Sequence, residues 1–109
     1  MIIQIFGKKN CNNTKKVQRF FKERGIKFQF IDICEKKPSK KEFENFLKYY
    51  TPEDLLDFES KEYKKRNLQY MVYDTIDLLL ESPTLLKTPI IRSNTGVFLG
   101  YNSEILKKL

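Results

Sequence analysis

The sequence predicts an α/β domain built on a mixed four-stranded sheet, with strand, helix, strand first, helices next, and strand, strand, helix last. Three observations predict it. The apolar run Ile2, Ile3, Ile5, Phe6 is closed by Gly7, as in a short strand covered on both faces. Helical spacing of Val17, Phe20 and Phe21 then gives way to a second apolar run, Phe28, Phe30, Ile31 and Ile33. Late in the chain, two apolar stretches flank Ser93-Asn94-Thr95-Gly96, a turn signal that joins them as a hairpin. At 109 residues, with 40% hydrophobic content, the chain is expected to be one domain, residues 1–109.

Each element has a local cause. Between the first two strands, Val17, Phe20 and Phe21 make an apolar stripe, while Lys15, Lys16, Arg19 and Lys22 fill the rest of the circumference and Gly25 supplies the stop. The result is an amphipathic helix inside a βαβ unit with the usual right-handed crossover. Ser39, with Glu42 three residues later, reads as a capping box for a helix with Phe43, Phe46, Leu47 and Tyr50 inside. Thr51-Pro52 with Asp54 repeats the signal for a short turn. The stretch Ser60–Glu81 reads as helical, with Val72, Ile76, Leu79 and Leu80 as its core face. Tyr49, Tyr50, Tyr63, Tyr70 and Tyr73 are expected in the core and at its rim rather than as a base-stacking surface. Thr88-Pro89-Ile90-Ile91 opens the hairpin, and a helix from about Asn102 to Leu109 ends the chain. This order is the thioredoxin-like βαβ–ββα arrangement, with a helical insertion at about residues 39–82.

Composition narrows the function classes. No apolar run approaches the roughly 18 residues that span a bilayer, and the N-terminus lacks the order of a signal peptide. A cytoplasmic location, no membrane and a monomer are expected. The net charge of +7 suits an anionic partner. It comes mostly from lysine, which argues against direct DNA binding. With no histidine and two cysteines, a structural zinc site is not expected.

Cys11 falls between a strand and a helix start, where unpaired amides and the helix dipole favour a thiolate. Lys8, Lys9, Lys15 and Lys16 are expected to reinforce that bias and to attract an anion. Residues alone leave two readings open: a nucleophile, or an inert small side chain under a solvated lysine run. Thr14 either caps the helix, the favoured reading, or hydrogen-bonds the Cys11 sulfur. Arg92 either reaches the mouth of the site or points to solvent.

The stretch Phe6-Gly7-Lys8-Lys9-Asn10-Cys11-Asn12-Asn13-Thr14-Lys15-Lys16 resembles the active-site loop of the ArsC/Spx/YffB family and is especially similar to the YffB branch. Asp32-Ile33 followed by Pro38-Ser39, Thr88-Pro89-Ile90-Ile91, and Gly100-Tyr101-Asn102, which is notably Spx-like, extend the resemblance over the whole chain. It implies that Cys11 is the reactive cysteine and that Pro89 is cis and faces it. Lys9, Asn10, Asn12, Asn13, Thr14, Lys15, Thr88 and Pro89 would then form the substrate or anion pocket. The implied activity is monothiol oxidoreduction, with glutathione or another small thiol as cosubstrate, a small thiol or protein disulfide as partner, and no metal or nucleotide cofactor.

The departures redirect the chemistry. The resemblance implies oxyanion-holding arginines where this chain has Glu59, Thr88 and Gly100, and each charge-assisted bond so lost is worth about 1.5–3 kcal/mol. Arsenate reduction is therefore demoted, with Lys61 or Arg66 the nearest partial substitutes. The Spx branch implies a Cys-x-x-Cys switch and binding to the C-terminal domain of the RNA polymerase α subunit. Here Thr14 stands in place of the second cysteine, which leaves a regulator as the alternative. Cys34, after the second strand, is either a resolving thiol or a free one, since a disulfide needs Cα atoms about 4.4–6.8 Å apart.

Overall fold

A computed structural model of the chain describes residues 3–108, so the expected strand residue Ile2 and helix residue Leu109 lie outside it. Four strands, β1 (Ile3–Gly7), β2 (Phe28–Asp32), β3 (Ile90–Ser93) and β4 (Gly96–Leu99), form one sheet in the order β2-β1-β3-β4. The β1–β2 pair is parallel, with Ile5 opposite Phe30; β3 runs antiparallel to β1, with Phe6 opposite Ile90 and Gln4 opposite Arg92. The predicted mixed sheet is thus present. Because β3 is antiparallel, its first residues lie at the same end of the sheet as the last residues of β1.

Alternation along the strands divides the core into two layers. On one face Ile5 and Ile91 pack with Val17, Phe20 and Phe21 of α1 (Asn12–Glu23) and with Leu106 of α6 (Ser103–Leu106). On the other, Phe6, Ile90 and Val97 pack against Phe43 and Phe46 of α2 (Lys40–Leu47) and against the central segment. Phe6 and Phe46 meet edge to face with centroids 5.1 Å apart, which adds to the area they bury. Both expected capping boxes are formed, Ser39 with Glu42 before α2 and Thr51 with Asp54 before α3 (Pro52–Leu55). Gly25 ends α1 with φ 67°, a conformation that costs glycine little.

The central segment departs from the expected Ser60–Glu81 helix. It comprises α4 (Lys61–Lys65), a 3-10 turn (Leu68–Tyr70), and, after Met71–Asp74, α5 (Thr75–Glu81). Asn67 is left-handed with φ 55°, which stops α4, and Asp74 starts α5 afresh by accepting from the Asp77 amide. The new register buries Leu79 and leaves Val72, Ile76 and Leu80 exposed. Tyr63 is buried, its hydroxyl 2.9 Å from that of Tyr73, and the Tyr50 hydroxyl accepts from the Leu99 amide. Tyr49 and Tyr70 lie on the surface instead of in the core.

Phe46→Ala should lower unfolding free energy by about 3–5 kcal/mol in urea titrations, as for a large buried aromatic. Tyr70→Ser, at a side chain 82% exposed, should stay within about 0.5 kcal/mol of the parent.

Candidate active site

Cys11 is the N-cap of α1 and sits at the C-terminal end of β1. The loop before it is closed by the Cys11 amide donating to the Lys8 carbonyl at 3.1 Å. Its thiol, half-buried, donates to the Thr88 carbonyl at 3.6 Å. Thr88 precedes β3 in a cis peptide with Pro89, as expected for that proline. Sheet topology therefore delivers the two chain segments, one to each side of the sulfur.

Burial opposes ionisation of Cys11, but hydrogen bonds from the Thr14 and Thr88 side chains and from the Thr14 and Asn13 amides outweigh it and hold the thiol below its ordinary value. Thr14 does not cap the helix, since no side-chain cap bond is formed at the N-terminus of α1. It is 1% exposed, and its Oγ1 forms no hydrogen bond in this geometry, which leaves the hydroxyl free to donate to a thiolate. An unpaired buried hydroxyl costs about 1–3 kcal/mol. Ionised sulfur supplies the acceptor that this hydroxyl lacks.

Gly7 makes the arrangement possible. A Cβ there would lie 2.5 Å from Thr14 Cγ2 and 2.7 Å from its Oγ1, inside contact distance. Sequence reasoning assigned Gly7 only to the end of a strand. The absence of a side chain at the last residue of an otherwise apolar strand was the available signal for a close approach.

The lysines behave differently from expectation. Lys8 Nζ donates to the Thr84 carbonyl, Thr84 in turn donates to Glu62 at 2.9 Å, and Glu62 pairs with Arg66 at 3.3 Å. Lys9 pairs with Glu35 at 3.3 Å on the surface, and Asn10, Asn12, Asn13, Lys15 and Lys16 have exposed side chains. Hydroxyls and amides, rather than lysine charge, are the groups that lower the Cys11 pKa. Glu59 pairs with Lys64 at 3.4 Å, and Arg66 donates to Ser82. Arg92 neither reaches the site nor points freely to solvent: opposite Gln4, at the far end of β1, it bonds Gln4 and pairs with Glu42 at 3.6 Å.

Cys34 is an exposed free thiol just beyond β2, its amide bonded to Asp32. Burial and the Asp32 carboxylate push its pKa up, so the two thiols diverge in reactivity.

The sheet order, the cis proline and a thiol at the start of α1 define a thioredoxin-like fold. The profile of the ArsC family matches residues 6–109, and the chain belongs to that family. Regulatory protein MgsR of Bacillus subtilis is 29% identical over 105 residues, covering 92% of this chain and 83% of that protein. Global transcriptional regulator Spx 2 of Oceanobacillus iheyensis is 25% identical over 113 residues, covering 99% and 83%. Among solved structures, a YffB protein superposes with a TM-score of 0.84 at 17% identity, covering 97% of this chain and 96% of its own. That likeness establishes the fold. Among the described residues no helix is long and apolar enough to cross a membrane.

Thr14→Val keeps the volume and removes the hydroxyl. The pH midpoint of Cys11 alkylation should rise toward the free-thiol value of about 8.5, whereas Thr14→Ser should leave it low. The same depressed pKa stabilises the fold above the unfolded thiol's pKa, and that contribution is lost as pH falls through the lower folded-state pKa. Urea midpoints measured across this window should flatten in Thr14→Val. Gly7→Ala should both raise the alkylation midpoint and destabilise by about 1–3 kcal/mol.

Proposed function

We propose that this ArsC-family protein is a monothiol thiol–disulfide oxidoreductase that uses Cys11 and glutathione or a similar small thiol. The Cys11 thiolate attacks the glutathione sulfur of a substrate–glutathione mixed disulfide; a Cys11–glutathione disulfide forms and the substrate leaves as its thiolate. A second glutathione thiolate then attacks that bound sulfur, restoring the Cys11 thiolate and releasing oxidised glutathione. The net reaction transfers two electrons from glutathione to the substrate and needs no metal or nucleotide. The observation that carries this reading is the Cys11 sulfur, lowered in pKa by the Thr14, Thr88 and Asn13 donors. Arsenate reduction is disfavoured because Thr88 and Glu59 stand where arginines would be needed and Arg66 is engaged by Glu62 and Ser82.

A second reading, a redox-tuned regulator that binds the RNA polymerase α subunit, is favoured by the similarity to the regulatory protein MgsR and the global transcriptional regulator Spx 2. Thr14 in place of a second cysteine means that such a regulator would respond through a mixed disulfide rather than a local Cys-x-x-Cys switch.

Mass spectrometry after exposure to oxidised glutathione tests the first reading. An adduct confined to Cys11 and removed by reduced glutathione is the expected result. An internal Cys11–Cys34 disulfide would replace the monothiol step with a dithiol one, and an unmodified Cys11 would overturn the reading. A pull-down with the polymerase α C-terminal domain tests the second; no retention of either reduced or glutathione-treated protein would end it.

A further inference from the structure

Charge is distributed very unevenly over the two layers of the fold. The layer of α1, the turn to β2 and α6 contains Lys15, Lys16, Arg19, Lys22, Arg24, Lys27, Lys107 and Lys108, against only Glu23 and Glu104. Eight cations and two carboxylates give this layer +6 of the chain's +7, and the rest of the molecule is left with +1. None of these groups forms an ion pair among the described residues, so the excess of positive charge is not offset within the layer. An uncompensated field of one sign on one face steers oppositely charged molecules.

The face has a direction. Lys15, Arg19 and Lys22 recur at i, i+4 and i+7 on the solvent side of α1, opposite buried Val17 and Phe21. Their stripe begins four residues after Cys11 and runs away from it along a helix of 12 residues, about 18 Å long. Beside the stripe Lys16, Arg19, Phe20, Glu23 and Tyr101 surround a shallow hollow of about 310 Å³, in which two cations face one carboxylate. Tyr101 is 40% exposed there, and the hollow can seat one apolar side chain among charges.

We infer that this face is a docking surface for an acidic protein segment carrying a disulfide, and hence that acidic proteins are the preferred substrates of Cys11. The inference rests on the oxidoreductase reading and adds the substrate class to it. Two features select a protein over a nucleic acid. Six of the eight cations are lysines, and Arg24 is held 4.2 Å above the Phe20 ring, so the guanidinium forks that read phosphates and bases are scarce. The stripe also ends at a thiol, whose reaction requires sulfur in the partner. A second copy of the chain would bring the same cations together and is repelled.

Three probes test it: 2-hydroxyethyl disulfide, which is uncharged, and glutathionylated peptides of equal length rich in either Glu or Lys. The readout is the rate of Cys11 glutathionylation or mixed-disulfide formation, followed by mass spectrometry in low and high salt. The Glu-rich peptide should react about tenfold or more faster than the Lys-rich one at low ionic strength, and the gap should close with added salt. The double variant K22E/K107E should reduce the ratio of Glu-rich to uncharged-probe rates several-fold. Equal rates for the two peptides, a salt-insensitive ratio, or a ratio unmoved by the double variant would overturn the inference. So would displacement of the Glu-rich peptide by an oligonucleotide that itself binds the face more tightly. A Cys11 inert to all three probes would instead overturn the oxidoreductase reading, and the two failures are therefore distinguishable.

Discussion

The contact between Gly7 and Thr14 is the constraint on which the rest of the site depends. The bare backbone at the end of β1 lets the first turn of α1 come down onto it, to 2.5 Å from where a Cβ would stand. That descent buries Thr14, turns the Asn13 and Thr14 amides toward Cys11, and sets Val17, Phe20 and Phe21 against the sheet. The same placement brings the sulfur against the Thr88 carbonyl at 3.6 Å, because antiparallel β3 starts at that end. One missing methyl group thus links the packing of a helix to the ionisation of a thiol.

The electrostatics follow from short-range donors rather than from bulk positive charge. Lysines around a thiol act through water and are screened within about 10 Å at ordinary salt. A buried hydroxyl without an acceptor acts at contact and is not screened. Lys8 donates to the Thr84 carbonyl and so ties the loop before Cys11 to the segment that leads into Pro89. Its role is to hold two chain segments together.

Much of the fold was legible because its signals are local. The capping boxes Ser39/Glu42 and Thr51/Asp54, the stop at Gly25 and the turn before Gly96 are each decided within four residues, and each is found. The cis proline came from resemblance over the whole chain. What sequence missed depends on neighbours distant in the chain. The break at Asn67 and the restart at Asp74 override a composition that favours helix, although Asp74 and Asp77 carried a cap signal. Thr14 looked like a cap because its burial under Gly7 is a tertiary fact. Arg92 was ambiguous because only the β1–β3 register says which end of the sheet it occupies.

Arg92 also shows how position along one strand decides what a side chain does. It lies on β3 four residues after Thr88, about 13 Å along an extended strand and at the opposite end of β1 from the thiol. There it stacks 5.8 Å from the Phe6 ring and neutralises Glu42, so its positive charge is consumed by architecture. The side chain at Thr88 meets the sulfur; the one two pleats further on serves the join between sheet and helix. Two positions four residues apart along this segment thus have separate duties: one tunes a thiol and the other braces the fold.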